Sequence, residues 1–261
     1  MVTALTIAGS DSGGGAGIQA DLKTFAALGL YGTNAITALT AQNTLAVTGV
    51  HLVPAAFVVS QIDAVADDIP IAAAKTGMLA TVPIVRGVAD VLRRRRFPWL
   101  VVDPVMVAKS GDRLLDEDAV REVRTALIPL ASVITPNRME TEALTGRPVT
   151  SRDDAREAAR ALVDLGAKAA VVKGGHFDDA DIVDLLYDGQ DFHEFRHARQ
   201  HTGNTHGTGC TFAAAVAAHL ALGHALPDAV ERSVAFVAGA IAHGLAIGRG
   251  HGPLDHFWRQ P

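Results

Sequence analysis

The 261-residue chain is poor in residue types on which several classes of protein depend. Cys210 is its single cysteine, so no disulfide can form within the chain, and a disulfide-stabilised secreted scaffold is excluded. The formal net charge of −5 at pH 7 gives no general attraction to nucleic acid or to an anionic membrane. Residues 1–8 are apolar but lack the basic start of a signal peptide, and the longest apolar stretch, residues 233–248, is too short to span a membrane. We therefore expect a cytoplasmic protein that binds neither nucleic acid nor membranes.

Hydrophobic residues make up 49% of the chain and charged residues 20%, which suits a globular protein with a large core. Apolar runs of strand length alternate with longer stretches of helical periodicity, and no linker or repeat interrupts this alternation. The pattern predicts a single α/β domain over residues 1–261, in which helices cover both faces of a central, mainly parallel sheet. The predicted strands are residues 2–8, 34–39, 47–53, 71–76, 100–103, 132–135 and 169–173 with a hairpin around Asp188-Gly189, and the predicted helices are residues 17–28, 54–67, 83–95, 116–130, 151–165, 208–222 and 228–247.

Polar or glycine-rich segments stand where several of the predicted strands end. Because the carboxyl ends of parallel strands share one edge of a sheet, we expect these segments to form one polar cleft. They are residues 9–17, 42–43, 75–77, 103–104, 136–137 and 173–176.

The usual glycine-rich nucleotide motifs are absent from this set. No GxxxxGKS or GxxxxGKT segment exists, so a P-loop is excluded, and residues 13–17 do not fit GxGxxG in register. These glycines either let a ligand approach the backbone closely or form a plain turn between a strand and a helix.

Residues 193–197 match HExxH, the signature of zinc proteases. That motif binds zinc only when both histidines lie on one face of a helix. Here it follows an Asp-Gly turn and lacks helical periodicity, so a strand is expected, on which the two histidines would lie about 13 Å apart. We therefore do not expect a metal at His193 and His197.

The strongest positive signal is the segment Gly207-Thr208-Gly209-Cys210, which stands immediately before a long apolar helix. Free N–H groups at a helix N-terminus form an anion site, and the helix dipole strengthens it. In that first turn a thiolate is stabilised too, so we expect Cys210 to have a lowered pKa and to be able to act as a base. The alternative is a glycine turn with a buried structural cysteine.

Oxygen ligands suited to magnesium follow two other strands, namely Asp103 and the pair Asn137 and Glu140. The alternative for the pair is a helix cap, in which Asn137 caps a helix that starts near Arg138. Lys173 follows a further strand and is a candidate phosphate ligand.

Long segments in one order carry a resemblance that covers almost the whole chain. They are residues 8–11 (AGSD), 14–24 (GGAGIQADLKT), 37–44 (TALTAQNT), 75–79 (KTGML), 103–111 (DPVMVAKSG), 135–137 (TPN), 173–176 (KGGH) and 204–211 (NTHGTGCT). In these segments the chain resembles the hydroxymethylpyrimidine/phosphomethylpyrimidine kinases of thiamine biosynthesis, a ribokinase-like family.

The resemblance implies a ribokinase-like three-layer α/β/α fold, a homodimer, and two successive ATP-dependent phosphorylations. The hydroxymethyl group of 4-amino-5-hydroxymethyl-2-methylpyrimidine is phosphorylated first, and the monophosphate is then converted to the diphosphate. It also implies the following roles: Gln42, Asp21, Met78, Val105 and Gly9 bind the pyrimidine; Cys210 is the base; Gly207, Thr208, Gly209 and Cys210 form the anion hole; Asp103 and Glu140 organise Mg²⁺; and Lys173, Asn137 and Thr208 lie at the ATP phosphates.

Two departures from the wider ribokinase-like group stand out. That group usually has aspartate at the position of Cys210, and some relatives carry a lysine in the last helix, where residues 233–236 are SVAF. The nearest alternative is a pyridoxal or pyridoxine kinase on the same scaffold, against which Gln42 together with Met78 favours the pyrimidine branch. A zinc hydrolase built on the HExxH segment and a non-catalytic pyrimidine sensor are the other two alternatives.

Overall fold

The computed structural model of the chain describes residues 1–106, 117–174 and 181–259. Within these ranges nine strands form one sheet in the order β3-β2-β1-β4-β5-β6-β7-β8-β9. The strands are β1 Thr3–Asp11, β2 Tyr31–Gln42, β3 Val47–Leu52, β4 Ala73–Thr76, β5 Trp99–Val102, β6 Val133–Ile134, β7 Ala170–Val172, β8 Asp181–Tyr187 and β9 Phe192–Ala198. The six central strands are parallel, namely β2, β1, β4, β5, β6 and β7. The strands β3, β8 and β9 pair antiparallel at the two edges.

Helices cover both faces of this sheet. They are α1 Gly17–Ala27, α2 Ala55–Asp68, α3 Val82–Arg95, α4 Glu117–Glu122, α5 Arg138–Thr145, α6 Arg152–Asp164, α7 Thr208–Ala221 and α8 Leu226–Ala242. After α4 the chain continues through a π-helical turn, Val123–Leu127, and a short 3₁₀ turn, Ile128–Leu130. No helix in the described ranges is long and apolar enough to cross a membrane.

The two faces of the sheet bury separate hydrophobic clusters. Leu5 packs in the cluster beneath α2, α3 and α6, whereas the neighbouring Ala4 packs against α1, α7 and α8. Successive strand residues point to opposite faces, so a strand buried on both faces is apolar without alternation, as residues 4–8 are apart from Thr6. The predicted three-layer α/β/α architecture with a mainly parallel sheet is therefore confirmed.

The boundaries differ from prediction mainly at strand ends and at two helices. The helix predicted at 228–247 is α8, which ends at Ala242. β1 extends to Asp11 and β2 to Gln42, so polar residues that were predicted as loops continue the ladder. The helix predicted at 116–130 is divided into three helical pieces over its described part. Residue 116, together with residues 107–111 and 175–176 of the quoted segments, lies outside the described residues.

Candidate active site

A cavity of about 670 Å³ opens where the central strands end. The predicted cleft at this edge of the sheet is confirmed, because residues at the end of β1 and β2 and residues just after β4, β5, β6 and β7 all contribute to its wall. The predicted site residues found in the wall are Gly9, Gln42, Met78, Asp103, Val105, Asn137, Glu140, Lys173, Gly207, Thr208, Gly209 and Cys210.

The predicted anion site lies at the first turn of α7, which begins at Thr208. Gly207 caps this helix with φ of 86°, and a Cβ built on it would lie only 1.9 Å from the carbonyl oxygen of Gly15. Glycine is therefore required here, and it brings the loop after β1 against the start of α7. The N–H groups of Gly209 and Cys210 have no intrahelical acceptor, so they are available to an anion in the cavity, whereas the Thr208 N–H already donates to the Thr205 carbonyl at 3.4 Å.

Cys210 lies in this turn, partly exposed to the cavity, and the nearby backbone N–H of Gly17 lowers the pKa of its thiol. Burial, with the charges of Asp21 and Asp103, raises the pKa of the thiol to about 11, and Lys75 opposes that rise. The prediction of a lowered pKa is therefore wrong. Loss of hydration in this pocket destabilises the thiolate by more than the helix N-terminus stabilises it.

Asp21 is fully buried and does not line the cavity. Its carboxylate accepts hydrogen bonds from Lys75 Nζ at 2.9 Å, through both oxygens, and from Thr6 Oγ1 at 2.5 Å. The structure thus corrects the prediction that Asp21 contacts the pyrimidine. A fully buried carboxylate is stable only when it is paired with a cation, and the buried Lys75 provides that cation.

Asp103, Glu140 and Lys173 all line the cavity, and their charges influence one another's pKa values. Lys173 Nζ lies 3.2 Å from Asp103 Oδ1, while Asp103 Oδ2 is buried without a hydrogen-bond partner among the described residues. Burial lowers the pKa of Lys173, but the charges of Asp103 and Glu140 outweigh this and raise it. Lys173 Nζ also lies 3.3 Å from a Cβ built on Gly209, so its charge stands beside the anion site.

Asn137 and Glu140 form a capping box at the start of α5. Glu140 N–H donates to Asn137 Oδ1 at 3.0 Å, and Asn137 N–H donates to Glu140 Oε2 at 2.8 Å. Burial and the neighbouring charge of Asp103 raise the pKa of Glu140 to about 7, although Lys173 opposes the shift. The capping alternative is therefore confirmed, and both side chains also line the cavity.

The residues present fit a magnesium ion of the kind that is shared with phosphates. Such an ion uses one or two carboxylates and completes its shell with water and phosphate oxygens. The orphaned oxygen of Asp103, with Glu140 nearby, supplies carboxylates of this kind. Among the described residues no group of three or more histidine, cysteine or acidic side chains could hold a metal, so a site made by protein ligands alone is absent from that part of the chain.

The end of the cavity near β1 and β2 is lined by the predicted substrate residues. Met78 and Val105 pack with Ala38 in a small hydrophobic cluster, and Thr37 Oγ1 donates to the carbonyl of Met78 at 2.6 Å. Gln42 is half-buried beside this apolar wall. A flat ring with one polar edge suits such a surface.

Sequence reasoning missed Asp11 and His206, which also line the cavity. His206 Nε2 lies 2.8 Å from Asp11 Oδ2, so the pair joins the loop after β1 to the segment before α7. Both residues stood inside quoted segments, but nothing in their spacing indicated that they meet across 195 positions of sequence.

The opposite end of the cavity was also missed. It is lined by apolar residues of α7 and α8 and by the end of the β8–β9 hairpin. The sequence gave little indication of this end, because both helices are apolar on most of their surfaces and the residues that face the cavity do not stand out. The residues are Ile182, Asp184, His197, Phe212, Val234, Val237, Ala238 and Ile241.

The HExxH segment lies on β9, as predicted, and does not form a helix. His193 Nε2 contacts Asp188 at 3.1 Å, and His197 Nε2 contacts Asp184 at 3.3 Å. The two histidines therefore have separate acidic partners, which removes the basis for a zinc hydrolase.

Comparison with known proteins agrees with this geometry. The family model described as phosphomethylpyrimidine kinase matches residues 11–255. The thiamine biosynthesis bifunctional protein ThiED of Geobacter sulfurreducens is 51% identical over 253 residues, which are 97% of this chain and 52% of that protein. The hydroxymethylpyrimidine/phosphomethylpyrimidine kinase of Bacillus subtilis is 50% identical over 255 residues, which are 97% of this chain and 94% of that kinase. The chain thus spans about half of the first relative and nearly all of the second.

Solved structures share the fold over all or nearly all of the chain. An ADP complex of pyridoxal kinase from Bacillus subtilis has a TM-score of 0.93 and 38% identity, and the match covers 100% of both chains. A phosphomethylpyrimidine kinase from Clostridium difficile has a TM-score of 0.83 and 41% identity, and the match covers 92% of this chain and 100% of that one.

Proposed function

The chain belongs to the phosphomethylpyrimidine kinase family, and we propose that it uses ATP to phosphorylate 4-amino-5-hydroxymethyl-2-methylpyrimidine and then the resulting monophosphate. One observation carries this proposal. The anion site at the start of α7 and the apolar wall around Met78 belong to one cavity, with Cys210 in the anion site and Gln42 beside the wall. Curated relatives about half identical to this chain bear the name of this kinase.

The chain's own groups would hold the reacting oxygens. N–H groups of Gly209 and Cys210 would stabilise the charge on the transferring phosphoryl group, since fixed dipoles at a helix N-terminus need no reorganisation during the reaction. Lys173 stands beside Gly209 and would neutralise the ATP phosphates. Asp103 and Glu140 would hold Mg²⁺, which supplies further charge neutralisation on those phosphates.

Cys210 would accept the hydroxyl proton in the first phosphorylation. Its position in the anion site supports this role, and Lys75 favours the thiolate. Because the pKa of the thiol is raised to about 11, the thiolate is a minor species at neutral pH. The second phosphorylation has a different requirement, since a phosphate monoester with a pKa near 6 is already ionised at neutral pH.

The decisive experiment offers the pyrimidine alcohol and its monophosphate separately in steady-state assays of ADP release. Both should be turned over, and Gln42→Ala should raise KM for the pyrimidine while leaving KM for ATP nearly unchanged. Absence of turnover with either acceptor would contradict the proposed function.

Pyridoxal is the second candidate acceptor, because the pyridoxal kinase of Bacillus subtilis superposes on this chain with a TM-score of 0.93. The higher identity to the hydroxymethylpyrimidine kinases, 50% against 38%, favours the pyrimidine. With both acceptors present in competition, the kcat/KM values should favour the pyrimidine. A preference for pyridoxal would reverse the assignment.

We further propose that the enzyme works in the cytoplasm as a homodimer. ATP as donor supports the cytoplasm, where ATP is made and used, and a single cysteine fits a reducing compartment. The strand β3 lies at the edge of the sheet and is mostly exposed, with Val50 and Leu52 exposed by 48% and 43%. An exposed apolar edge strand is a surface that proteins normally cover, and a second copy of the chain would cover it.

A further inference from the structure

The carboxylate of Asp11 accepts hydrogen bonds from two segments that meet at the site. Three backbone N–H groups donate to it, from Gly13 at 2.8 Å, Gly15 at 3.0 Å and Ala16 at 2.9 Å. Its Oδ2 atom also lies 2.8 Å from Nε2 of His206, which stands 195 positions later in the chain. One buried carboxylate at the end of β1 therefore holds both the loop after β1 and the segment before α7.

The hydrogen bond between Asp11 and His206 has one possible direction. Burial raises the pKa of Asp11, but the hydrogen bond from His206 and the backbone donors outweigh this and lower it, so the carboxylate is ionised at neutral pH. An ionised carboxylate can only accept, so Nε2 of His206 donates its hydrogen to Asp11. Hydrogen bonds to an ionised acceptor are about twice as strong as neutral ones, so this bond joins the two segments firmly.

His206 is also held on its other sides. Its side chain is buried, and its backbone N–H donates to the carbonyl of Gly252 at 3.0 Å. A Cβ built on Gly15 would lie only 2.4 Å from Cδ2 of the imidazole, so the ring packs directly on the loop after β1. The imidazole therefore has little freedom to turn away from Asp11.

The residues held by this carboxylate stand next to residues of the predicted anion site. Ala16 precedes Gly17, whose N–H lies near the Cys210 thiol. His206 precedes Gly207, which caps α7. The free N–H groups in the first turn of a helix point along its axis, so their direction toward an anion depends on how the cap is held.

We propose that Asp11 and His206 are positioning residues that hold the first turn of α7 in the orientation that stabilises the transferring phosphoryl group. The proposal rests on the phosphoryl transfer proposed above. Preorganised N–H groups stabilise a transition state because they do not have to reorient during the reaction. A displacement of about 1 Å in such a geometry can lower a rate by about 10²-fold. The hydrogen bond between the two residues should therefore affect kcat more than the binding of the nucleotide.

The test measures the Kd of Mg·ADP with and without aluminium fluoride, which mimics the transferring phosphoryl group. In the wild-type protein aluminium fluoride should tighten ADP binding by about 100-fold, because mimics of a transition state bind more tightly than ground-state ligands. His206→Leu removes the N–H donor and should reduce this gain to about tenfold or less, with the Kd for ADP alone changed by less than about twofold. His206→Gln places an amide N–H near the same point and should retain the gain.

The ratio of the two Kd values separates positioning from general damage to the structure. Loss of folded protein lowers the number of binding sites and leaves the ratio unchanged, so an unchanged ratio in His206→Leu overturns the proposal. A wild-type protein in which aluminium fluoride gives no gain overturns it too. Asp11→Asn has one acceptor oxygen in place of two and should also lower the gain, which provides the test if His206→Leu does not fold.

This measurement needs no acceptor molecule. Failure of the wild-type enzyme to phosphorylate the pyrimidine alcohol or its monophosphate would contradict the proposed function, whereas the ratio of Kd values would still decide whether Asp11 and His206 orient the first turn of α7.

Discussion

At the scale of single residues, burial competes with local charge, and at Cys210 burial has the larger effect. A helix N-terminus stabilises a negative charge by about 1 kcal/mol or less, which is below one unit of pKa. The thiol pKa is instead raised from 9.0 to about 11, because desolvation adds to the charges of Asp21 and Asp103. The position of a residue in a helix can be predicted from sequence. The charges that other elements place beside its side chain cannot.

The pH dependence of the first phosphorylation should report this thiol. A base with a pKa of about 11 becomes more ionised as pH rises, so kcat should increase about tenfold per pH unit between roughly pH 6 and 9. Cys210→Asp, whose carboxyl ionises at a much lower pH than the thiol, should flatten the profile, and Cys210→Ala should lower kcat by about 10²-fold or more while sparing ATP binding.

The monophosphate provides the internal control for this experiment. Its nucleophile is ionised near pH 7, so its profile should be much flatter, and Cys210→Ala should affect its turnover less. Equal losses with both acceptors, or a wild-type profile that levels off below about pH 8, would remove Cys210 from the role of base.

At the scale of elements, the first turns of three helices form much of the polar wall. α1 places the N–H of Gly17 near Cys210, α5 is capped by Asn137 and Glu140, and α7 begins after Gly207. The spacing of the capping box predicted the start of α5 from sequence, because the box is a local interaction over four residues. The contact between Gly207 and the loop after β1 is not local, and only the folded chain brings it about.

Gly207→Ala tests how much the site depends on that contact. The substitution forces alanine to a φ of 86° and to within 1.9 Å of the Gly15 carbonyl, so it should separate the two segments. We expect a loss of about 2 kcal/mol in the free energy of unfolding in urea, together with a loss of kcat larger than the change in KM for ATP.

Gly203→Ala is the matched control for this substitution. It lies in an exposed segment where an added Cβ meets nothing within 4 Å, so stability and kcat should both stay near the wild-type values. If Gly207→Ala behaved like this control, close approach of the two segments would not be needed for catalysis.

At the scale of the whole molecule, the two outermost strands of the sheet, β9 and β3, differ in the exposure and the pairing of their side chains. β9 has partners for its charged side chains, for example Glu194 with Arg156 at 2.8 Å. β3 has five of its six residues exposed, and the large exposed side chains Leu39 and Phe57 lie on neighbouring elements. This contrast supports the proposal that β3 is the edge at which two copies meet.

Light scattering during size-exclusion chromatography should show a dimer for the wild-type protein. Val50→Lys places a charge on the edge strand and should shift the protein toward the monomer, because lysine on an edge opposes strand pairing. Leu222→Lys, which replaces an exposed leucine at the end of α7, should leave the dimer intact. A wild-type monomer at every concentration, or a dimer insensitive to Val50→Lys, would exclude this interface.

The sequence by itself determined the alternation of strands and helices, the parallel sheet and the cleft at its carboxyl edge, which follow from local periodicity and from segments that stand at strand ends. Its resemblance to a known family implied twelve of the residues in the cavity wall. Only the tertiary structure decided that Asp21 is the buried partner of Lys75, that the Cys210 thiol is difficult to ionise, and that Asp11 and His206 meet beside Gln42. The reason is physical, since hydration and pairing of charges depend on neighbours that folding brings from distant parts of the chain.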